Sequence, residues 1–283
     1  MIPLKDNIPT GRFPVVTVIL IALNVAAFVW QLSHSTDPAL DRAGYSAIDQ
    51  SALELGAIPY RITNPGADPG CAVGAVNDRG EAGVVCQGTS AYRAAEDRGR
   101  ADAGLTPIPI EEVGWWITLF TSMFLHGGIL HIGFNMLFLW IFGNNVEDSM
   151  GRMRFALFYL LAGLVAVYSQ AALDTQSTAP TIGASGAVAG VLGAYALLFP
   201  RARVITLFII VFFVTLVEVP ALILLGIWFL LQFLPALGQT ALDAGAQDNV
   251  AYMAHVGGFA FGLVAVWLFA KRSARPRLRR GSA

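Results

Sequence analysis

Long apolar runs separated by short polar breaks dominate the pattern along this chain. A helix needs about 20 mostly apolar residues to cross the ~30 Å hydrocarbon core of a bilayer. We predict six transmembrane helices, at 13–31, 128–146, 154–173, 183–199, 219–235 and 251–270. The pattern therefore predicts an all-α, polytopic membrane protein.

The apolar stretch from 204 to 235 is too long for one membrane helix and is interrupted by Glu218 and Pro220. We expect 204–217 to be an interfacial or half-inserted segment, with a seventh span as the alternative. Glu218 is interpreted as a helix start, because an acid before proline suits a helix N-terminus. Glu147 and Asp148, at the inner end of the second span, are expected to be solvated.

The charged residues support a membrane protein and set its orientation. Charged residues make up 13% of the chain, against about 25% in soluble domains. The short loops 174–182 and 236–250 contain no Lys or Arg, whereas the opposite ends of the spans are basic, which places both termini in the cytoplasm. The basic ends comprise Lys5, Arg12, Arg152, Arg154, Arg201, Arg203 and the tail 271–283. Because this tail directly follows a span, we interpret it as a cytoplasmic anchor and expect no nucleic-acid partner.

The predicted organisation follows from these breaks. It comprises a cytoplasmic N-terminus (1–12), a first transmembrane helix (13–32), an extracytoplasmic loop insert (33–112), a core of five further helices (113–270) and the basic tail (271–283). The insert is acidic, and we expect it to be loosely folded and to contribute no chemistry. Its cysteines, Cys71 and Cys86, are a candidate structural disulfide in an oxidising exterior. Two cysteines without nearby histidines are too few for a zinc site, so we expect no metal.

Two polar residues, Ser185 and His255, lie in apolar helices at matching positions. Each is 16 residues before the basic residue that closes its run, Arg201 and Lys271 respectively. If both helices cross in the same direction, the hydroxyl and the imidazole lie at the same depth. A serine and a histidine at one level in a bilayer suggest a nucleophile and its base.

A further helix contributes to the same polar layer. His131 and Asn135 lie 21 and 17 residues before Arg152, so all four side chains fall within about 8 Å in depth. His131 and Asn135 are four residues apart and share one helix face. Taken singly, each polar residue has a structural interpretation, such as a serine lining a helix interface or a buried histidine. Their common depth favours a site.

Small residues flank the serine and the histidine on their own faces. Ala189 and Gly193 follow Ser185, and Gly258 and Gly262 follow His255. Such spacing lets membrane helices pack backbone to backbone, which would bring the two side chains within hydrogen-bond reach. A transporter or channel with a polar layer is the competing class. The halves of the chain show no obvious internal repeat, and the insert has no counterpart.

The residues that carry this pattern also carry a family resemblance. The chain resembles the rhomboid intramembrane serine proteases, in their bacterial form with a bundle of six transmembrane helices, here with a large outer loop insert. The resemblance covers most of the chain outside 33–110. It rests on Gly183-Ala184-Ser185-Gly186, on Ala254-His255-Val256-Gly257-Gly258 with Gly262, and on His126 followed by His131-Ile-Gly-Phe-Asn135.

The resemblance implies a catalytic dyad without a third acid and without a metal or organic cofactor. Ser185 would be the nucleophile and His255 the general base and acid, while Asn135 and His131 would form the oxyanion hole with the Ser185 backbone N–H. Supporting roles fall to His126, Gly183, Gly186 and Gly258.

The resemblance also implies a setting and a class of substrate. The protein would lie in the lipid bilayer of a bacterial-type plasma membrane and cleave single-span membrane proteins in or near their transmembrane segments, close to the outer face. A catalytically silent relative that binds client helices is the remaining alternative. The chain departs from many members at Ile117 and Thr118, where they carry Trp-Arg. Several members also place an aromatic on the catalytic histidine one turn after the serine, where this chain has Ala189.

Overall fold

The computed structural model describes residues 2–42, 44–65, 71–75, 82–86, 92–93, 97, 108–109, 113–210, 213–241 and 250–271. Much of the predicted insert, the loop residues 242–249 and all of the basic tail except Lys271 lie outside the described residues. The chain divides into two compact units. The first unit comprises Met1–Leu23, Gly133–Ala166 and Ser185–Ala283, and the second comprises Asn24–Ile132 and Val167–Ala184.

Helices make up most of the described chain. In order they are α1 (Val15–Ser33), α2 (Pro38–Arg42), α3 (Ala47–Leu55), α4 (Pro59–Thr63), α5 (Trp115–Thr121), α6 (Ile129–Phe138), α7 (Asn144–Met150), α8 (Arg152–Leu173), α9 (Ser185–Leu198), α10 (Ala221–Ala241) and α11 (Tyr252–Phe269). A π-helical turn, Leu139–Gly143, joins α6 to α7. The strands are β1 (Ile2–Asp6), β2 (Cys71–Ala75), β3 (Ala82–Cys86), β4 (Ile108–Pro109), β5 (Arg203–Ile210) and β6 (Phe213–Pro220).

The prediction of a polytopic helical membrane protein is confirmed. Within the described residues, four helical segments are long and apolar enough to span a membrane: Val15–Ser33, Ile129–Met150, Arg152–Leu173 and Tyr252–Phe269. Shorter apolar helices, Ser185–Leu198 and Ala221–Leu237, occupy the other two predicted spans. Large apolar side chains point outward from these helices. For example, Val264 and Leu268 of α11 are 75% and 80% exposed, as lipid-facing residues would be.

The described residues of the segment 204–217 do not form a seventh helical span. They lie in two antiparallel strands, in which β5 pairs with β6, and β1 pairs with β5 on the other side. The segment's run of Val, Ile, Phe and Thr explains this outcome, because β-branched and aromatic residues favour strands. The interpretation of Glu218 as a helix start was also wrong: it lies in β6 and pairs with Arg203 at 3.7 Å, and α10 begins at Ala221.

Helices α9 and α11 pack backbone to backbone in the first unit. A Cβ atom on Gly258 would overlap the carbonyl oxygen of Gly186, and one on Gly262 would overlap that of Gly190. From the first contact to the second, the position moves four residues forward in α9 (Gly186 to Gly190) and four residues forward in α11 (Gly258 to Gly262). The two helices therefore run in the same direction. This confirms the predicted small-residue seam and the shared direction of the fourth and sixth spans.

Helix α7 holds the beginning of α1, contrary to the expectation that Glu147 is solvated. Asp148 is partly exposed, so the expectation fails for Glu147 alone. Glu147 is 3% exposed and accepts the backbone N–H groups of Val16 and Thr17 at 3.0 and 2.8 Å. Asp148 accepts the N–H of Gly11 at 2.8 Å. The first N–H groups of a helix have no intrahelical acceptor, and a carboxylate there also complements the helix dipole.

Strand β1 is fixed to the same unit by a buried carboxyl group. Asp6 accepts hydrogen bonds from Asn145 Nδ2 at 2.7 Å and from the Tyr195 hydroxyl at 2.5 Å. Burial raises the pKa of Asp6, and the hydrogen bonds from Tyr195 and Asn145 oppose that rise. The N-terminal segment is therefore part of the packed structure.

The second unit contains the described part of the insert, which is more ordered than the sequence suggested. Cys71 and Cys86 face each other across β2 and β3 and are joined by a disulfide, as proposed. They belong to a small hydrophobic core with Leu40, Leu53, Ile58, Tyr60 and Val73. A backbone bridge between Ala57 and Thr181 ties this part of the insert to the loop before Ser185.

Candidate active site

Ser185 is the first residue of α9 and follows a sharp turn of the backbone. Gly183 has a φ of +117°, which favours glycine because a Cβ atom would be strained there. The Gly183 N–H donates to the carbonyl of Ser122 at 2.8 Å. As the first residue of the helix, Ser185 has a backbone N–H without an intrahelical acceptor. The turn thus presents both the hydroxyl and the N–H at a helix N-terminus.

His255 lies on α11 in direct contact with Ser185. Its Nε2 is 2.7 Å from the Ser185 Oγ, a normal length for a hydrogen bond. The contact lies at the end of the glycine seam, where Gly186 and Gly258 allow the helices to touch. Both side chains are partly exposed, so the pair is reachable from outside the protein. The sequence prediction that these two residues meet is confirmed.

Gln232 of α10 contacts the other nitrogen of the same imidazole. Its Oε1 is 2.7 Å from His255 Nδ1. The ring of Trp228, one helical turn earlier, lies 6.0 Å from the His255 ring between centroids. Sequence reasoning missed Gln232, although a signal existed: it is the polar side chain in the otherwise apolar run from Ala221 to Phe233.

Asn135 belongs to the same compact unit as Ser185 and His255. It lies on α6 and is 6% exposed. A buried side-chain amide needs hydrogen-bond partners. The burial of Asn135 is therefore consistent with the predicted layer of polar residues.

His131 and His126 belong to the second unit, where their rings are 5.0 Å apart in an edge-to-face arrangement. His131 Nδ1 accepts the N–H of Gly127 at 3.2 Å. The neutral ring therefore carries its proton on Nε2.

His126 is completely buried, and its backbone N–H donates to Gln31 Oε1 at 2.9 Å. Gln31 Nε2 donates in turn to the Ser51 hydroxyl at 2.8 Å. Burial, together with the neighbouring His131, lowers the pKa of His126 to about 4. His126 is thus a neutral residue that organises the loop before α6, which suits the supporting role expected for it.

The Ser185 hydroxyl contacts one nitrogen of the His255 ring, and Gln232 contacts the other. This is the geometry of an activated nucleophile. Here that arrangement lies among apolar helices of a membrane bundle. The class defined by fold and site is therefore a polytopic membrane protein with a serine–histidine pair between two of its helices. The comparison with known proteins agrees: residues 113–272 match the family model described as the Rhomboid domain. The chain belongs to the rhomboid family.

Several curated relatives are similar to parts of this chain. Rhomboid protein 1, mitochondrial, of Saccharomyces cerevisiae is 33% identical over 169 residues, which are 58% of this chain and 45% of the relative. Rhomboid protease GluP of Bacillus subtilis is 46% identical over 81 residues, 29% of this chain and 15% of the relative. Putative rhomboid protease YdcA of Bacillus subtilis is 34% identical over 86 residues, 29% of this chain and 41% of the relative. The chain thus matches less than half the length of each of these relatives.

Proposed function

We propose that this protein is an intramembrane serine endopeptidase with a catalytic dyad of Ser185 and His255. The observation that carries the proposal is the 2.7 Å contact between Ser185 Oγ and His255 Nε2 within a Rhomboid domain. Names such as Rhomboid protease GluP support the same reaction class for relatives of the chain.

In the proposed reaction, Ser185 Oγ attacks the carbonyl carbon of the scissile peptide bond while His255 Nε2 takes the hydroxyl proton. The tetrahedral intermediate collapses, the C–N bond breaks and His255 passes its proton to the leaving amine. A water molecule, deprotonated by His255, then hydrolyses the acyl-enzyme and restores the free serine. Water must therefore reach Ser185 through a cavity, and the partial exposure of both side chains is compatible with that requirement.

The negative charge on the substrate oxygen needs donors that are already in position. We assign this role to the Ser185 backbone N–H and Asn135, and the family resemblance implies the same role for His131. The start of α9 supplies the first donor, because its N–H is unused within the helix. The Nε2–H tautomer of His131, set by the Gly127 N–H, makes that ring a donor rather than an acceptor.

We further propose a bacterial-type plasma membrane location with both termini in the cytoplasm and the insert outside. The positive-inside pattern and the disulfide between Cys71 and Cys86 support this orientation. Substrates would be single-span membrane proteins cleaved in or near the transmembrane segment, because Ser185 lies near the outer end of its helix.

Cleavage of a model single-span substrate by the purified protein in detergent tests the proposal. Ser185→Ala and His255→Ala should each abolish cleavage. The neighbouring pair Ser33 and His34, at the end of α1, provides matched controls, and Ser33→Ala and His34→Ala should cleave like the wild type. Cleavage that survives Ser185→Ala contradicts the assignment. Absence of any cleavage by the wild type, with binding of the substrate retained, would favour a silent client-binding relative.

A further inference from the structure

We propose that Gln232 is a positioning residue that fixes the tautomer and the ring orientation of His255. The inference rests on the proposed function, in which His255 is the general base. Its basis is the 2.7 Å contact between Gln232 Oε1 and His255 Nδ1, on the side of the ring opposite Ser185.

The chemistry of the contact selects one form of the imidazole. A neutral histidine carries its proton on one ring nitrogen and accepts hydrogen bonds with the other. An amide oxygen can only accept, so Nδ1 must carry the proton when it faces Gln232 Oε1. Nε2 is then left without a proton, as a base facing the Ser185 hydroxyl needs to be. The opposite tautomer would present an N–H to the hydroxyl and could not receive its proton.

Side chains of α10 hold the His255 ring in its orientation. Ala189 lies on α9 one turn after Ser185 and is completely buried, but its methyl group is too short to cover an imidazole face. Trp228 and Gln232 are four residues apart on α10 and so share one face of that helix. The 6.0 Å ring contact of Trp228 and the hydrogen bond of Gln232 therefore hold His255 from the same side.

An amide suits this location better than a carboxylate. In the serine-protease triad, an aspartate holds the histidine tautomer and stabilises the imidazolium. Even a partly buried charge is costly within a membrane bundle, whereas a neutral amide supplies the acceptor without that penalty. Gln232 thus orients the His255 ring but stabilises its imidazolium form less than an aspartate would.

The test compares three variants with the wild type. Gln232→Leu removes the acceptor at similar volume, and Gln232→Glu keeps an oxygen in its place. Leu231→Ala is the matched control, because this adjacent side chain of α10 is 61% exposed. Gln232→Leu should lower kcat about 10- to 100-fold with KM little changed, the range seen when the partner orienting a metal-binding imidazole is lost. Leu231→Ala should leave both constants unchanged.

The glutamate variant separates positioning from packing. A carboxylate oxygen restores the acceptor, so Gln232→Glu should recover most of the kcat lost in Gln232→Leu. It should also move the acid limb of the kcat/KM profile to higher pH, because a carboxylate stabilises the imidazolium. A purely structural role predicts neither the rescue nor the displaced profile. If Gln232→Leu retains full kcat, or if Gln232→Glu is as impaired as Gln232→Leu, the inference is wrong.

The protonation of the His255 ring can also be measured without substrate cleavage. ¹⁵N-histidine NMR of the full chain in detergent, with His255 assigned by its loss in His255→Ala, reports which ring nitrogen is protonated. We expect a proton on Nδ1 in the wild type and a mixture of tautomers in Gln232→Leu. An Nε2–H ring in the wild type, or no change in the variant, overturns the positioning role. If Ser185→Ala cleaves the substrate like the wild type, the protease proposal is wrong, but the NMR measurement still tests the role of Gln232.

Discussion

Glu147 holds Thr17 through one carboxylate oxygen, which accepts both the backbone N–H and the side-chain hydroxyl of Thr17, each at 2.8 Å. Thr17 is completely buried and Glu147 is 3% exposed. The two residues are 130 positions apart, and the contact places the first turn of α1 on α7.

Replacing Glu147 should therefore destabilise the protein strongly. Glu147→Ala leaves buried donors of α1 without an acceptor, and we expect the free energy of unfolding to fall by about 2–4 kcal/mol. Asp148→Ala, at the more exposed neighbouring position, should lower it by less than about 1 kcal/mol. Reversible unfolding in mixed detergent micelles measures both values. Equal losses for the two variants would contradict the role of Glu147.

The glycine seam should tolerate no side chain at its centre. A Cβ atom on Gly262 would overlap the Gly190 carbonyl oxygen, so Gly262→Ala must push α9 and α11 apart. We expect a stability loss of about 1–3 kcal/mol and at least a tenfold lower rate of substrate cleavage, because the Ser185–His255 contact depends on this approach. Gly226→Ala, on α10 in open space, is the control and should be neutral.

Acid should destabilise the protein through His126. Its native pKa of about 4 lies below the ordinary value of 6.5, so protonation favours the unfolded state. The neutral His126 ring makes its full contribution to the free energy of unfolding above about pH 6.5. As the pH falls towards 4, the free energy of unfolding decreases by roughly 3 kcal/mol. Unfolding measured at several pH values should show a shallower dependence in His126→Gln than in the wild type. Parallel curves would exclude His126 as a source of acid sensitivity.

The disulfide gives a prediction about the compartment of the insert. In intact cells, a thiol reagent that does not cross the membrane should fail to label the protein until a reductant is added. After reduction it should label both Cys71 and Cys86, which are its two cysteines. Labelling only after the cells are opened would place the insert in the cytoplasm and reverse the proposed topology.

Much of the bundle could be predicted from the sequence because its signals are periodic or positional. Apolar runs marked the membrane helices, and equal spacing from basic residues placed Ser185 level with His255. Small residues beside both side chains indicated the backbone contact that the Gly186–Gly258 pair makes. These features depend on composition and spacing along single helices, which a sequence records directly.

Other features depend on how elements rotate and meet, which the sequence does not record. The run 204–217 is apolar without a clear period, and such a run fits a strand or a buried helix equally well. The burial of Glu147 required knowing where α1 begins in space. Gln232 was visible as an amide in an apolar helix, but its neighbour depends on the rotation of α10 against α11.

Covalent labelling shows directly whether Ser185 is a nucleophile activated by His255. The purified protein is treated with a fluorophosphonate, which phosphonylates serines activated by an adjacent base, and the modified residue is identified by mass spectrometry of peptides. We predict a single adduct on Ser185 in the wild type and none in His255→Ala, since the hydroxyl then lacks the base 2.7 Å away. An unlabelled Ser185 in the wild type, or equal labelling without His255, would rule out the proposed catalytic dyad.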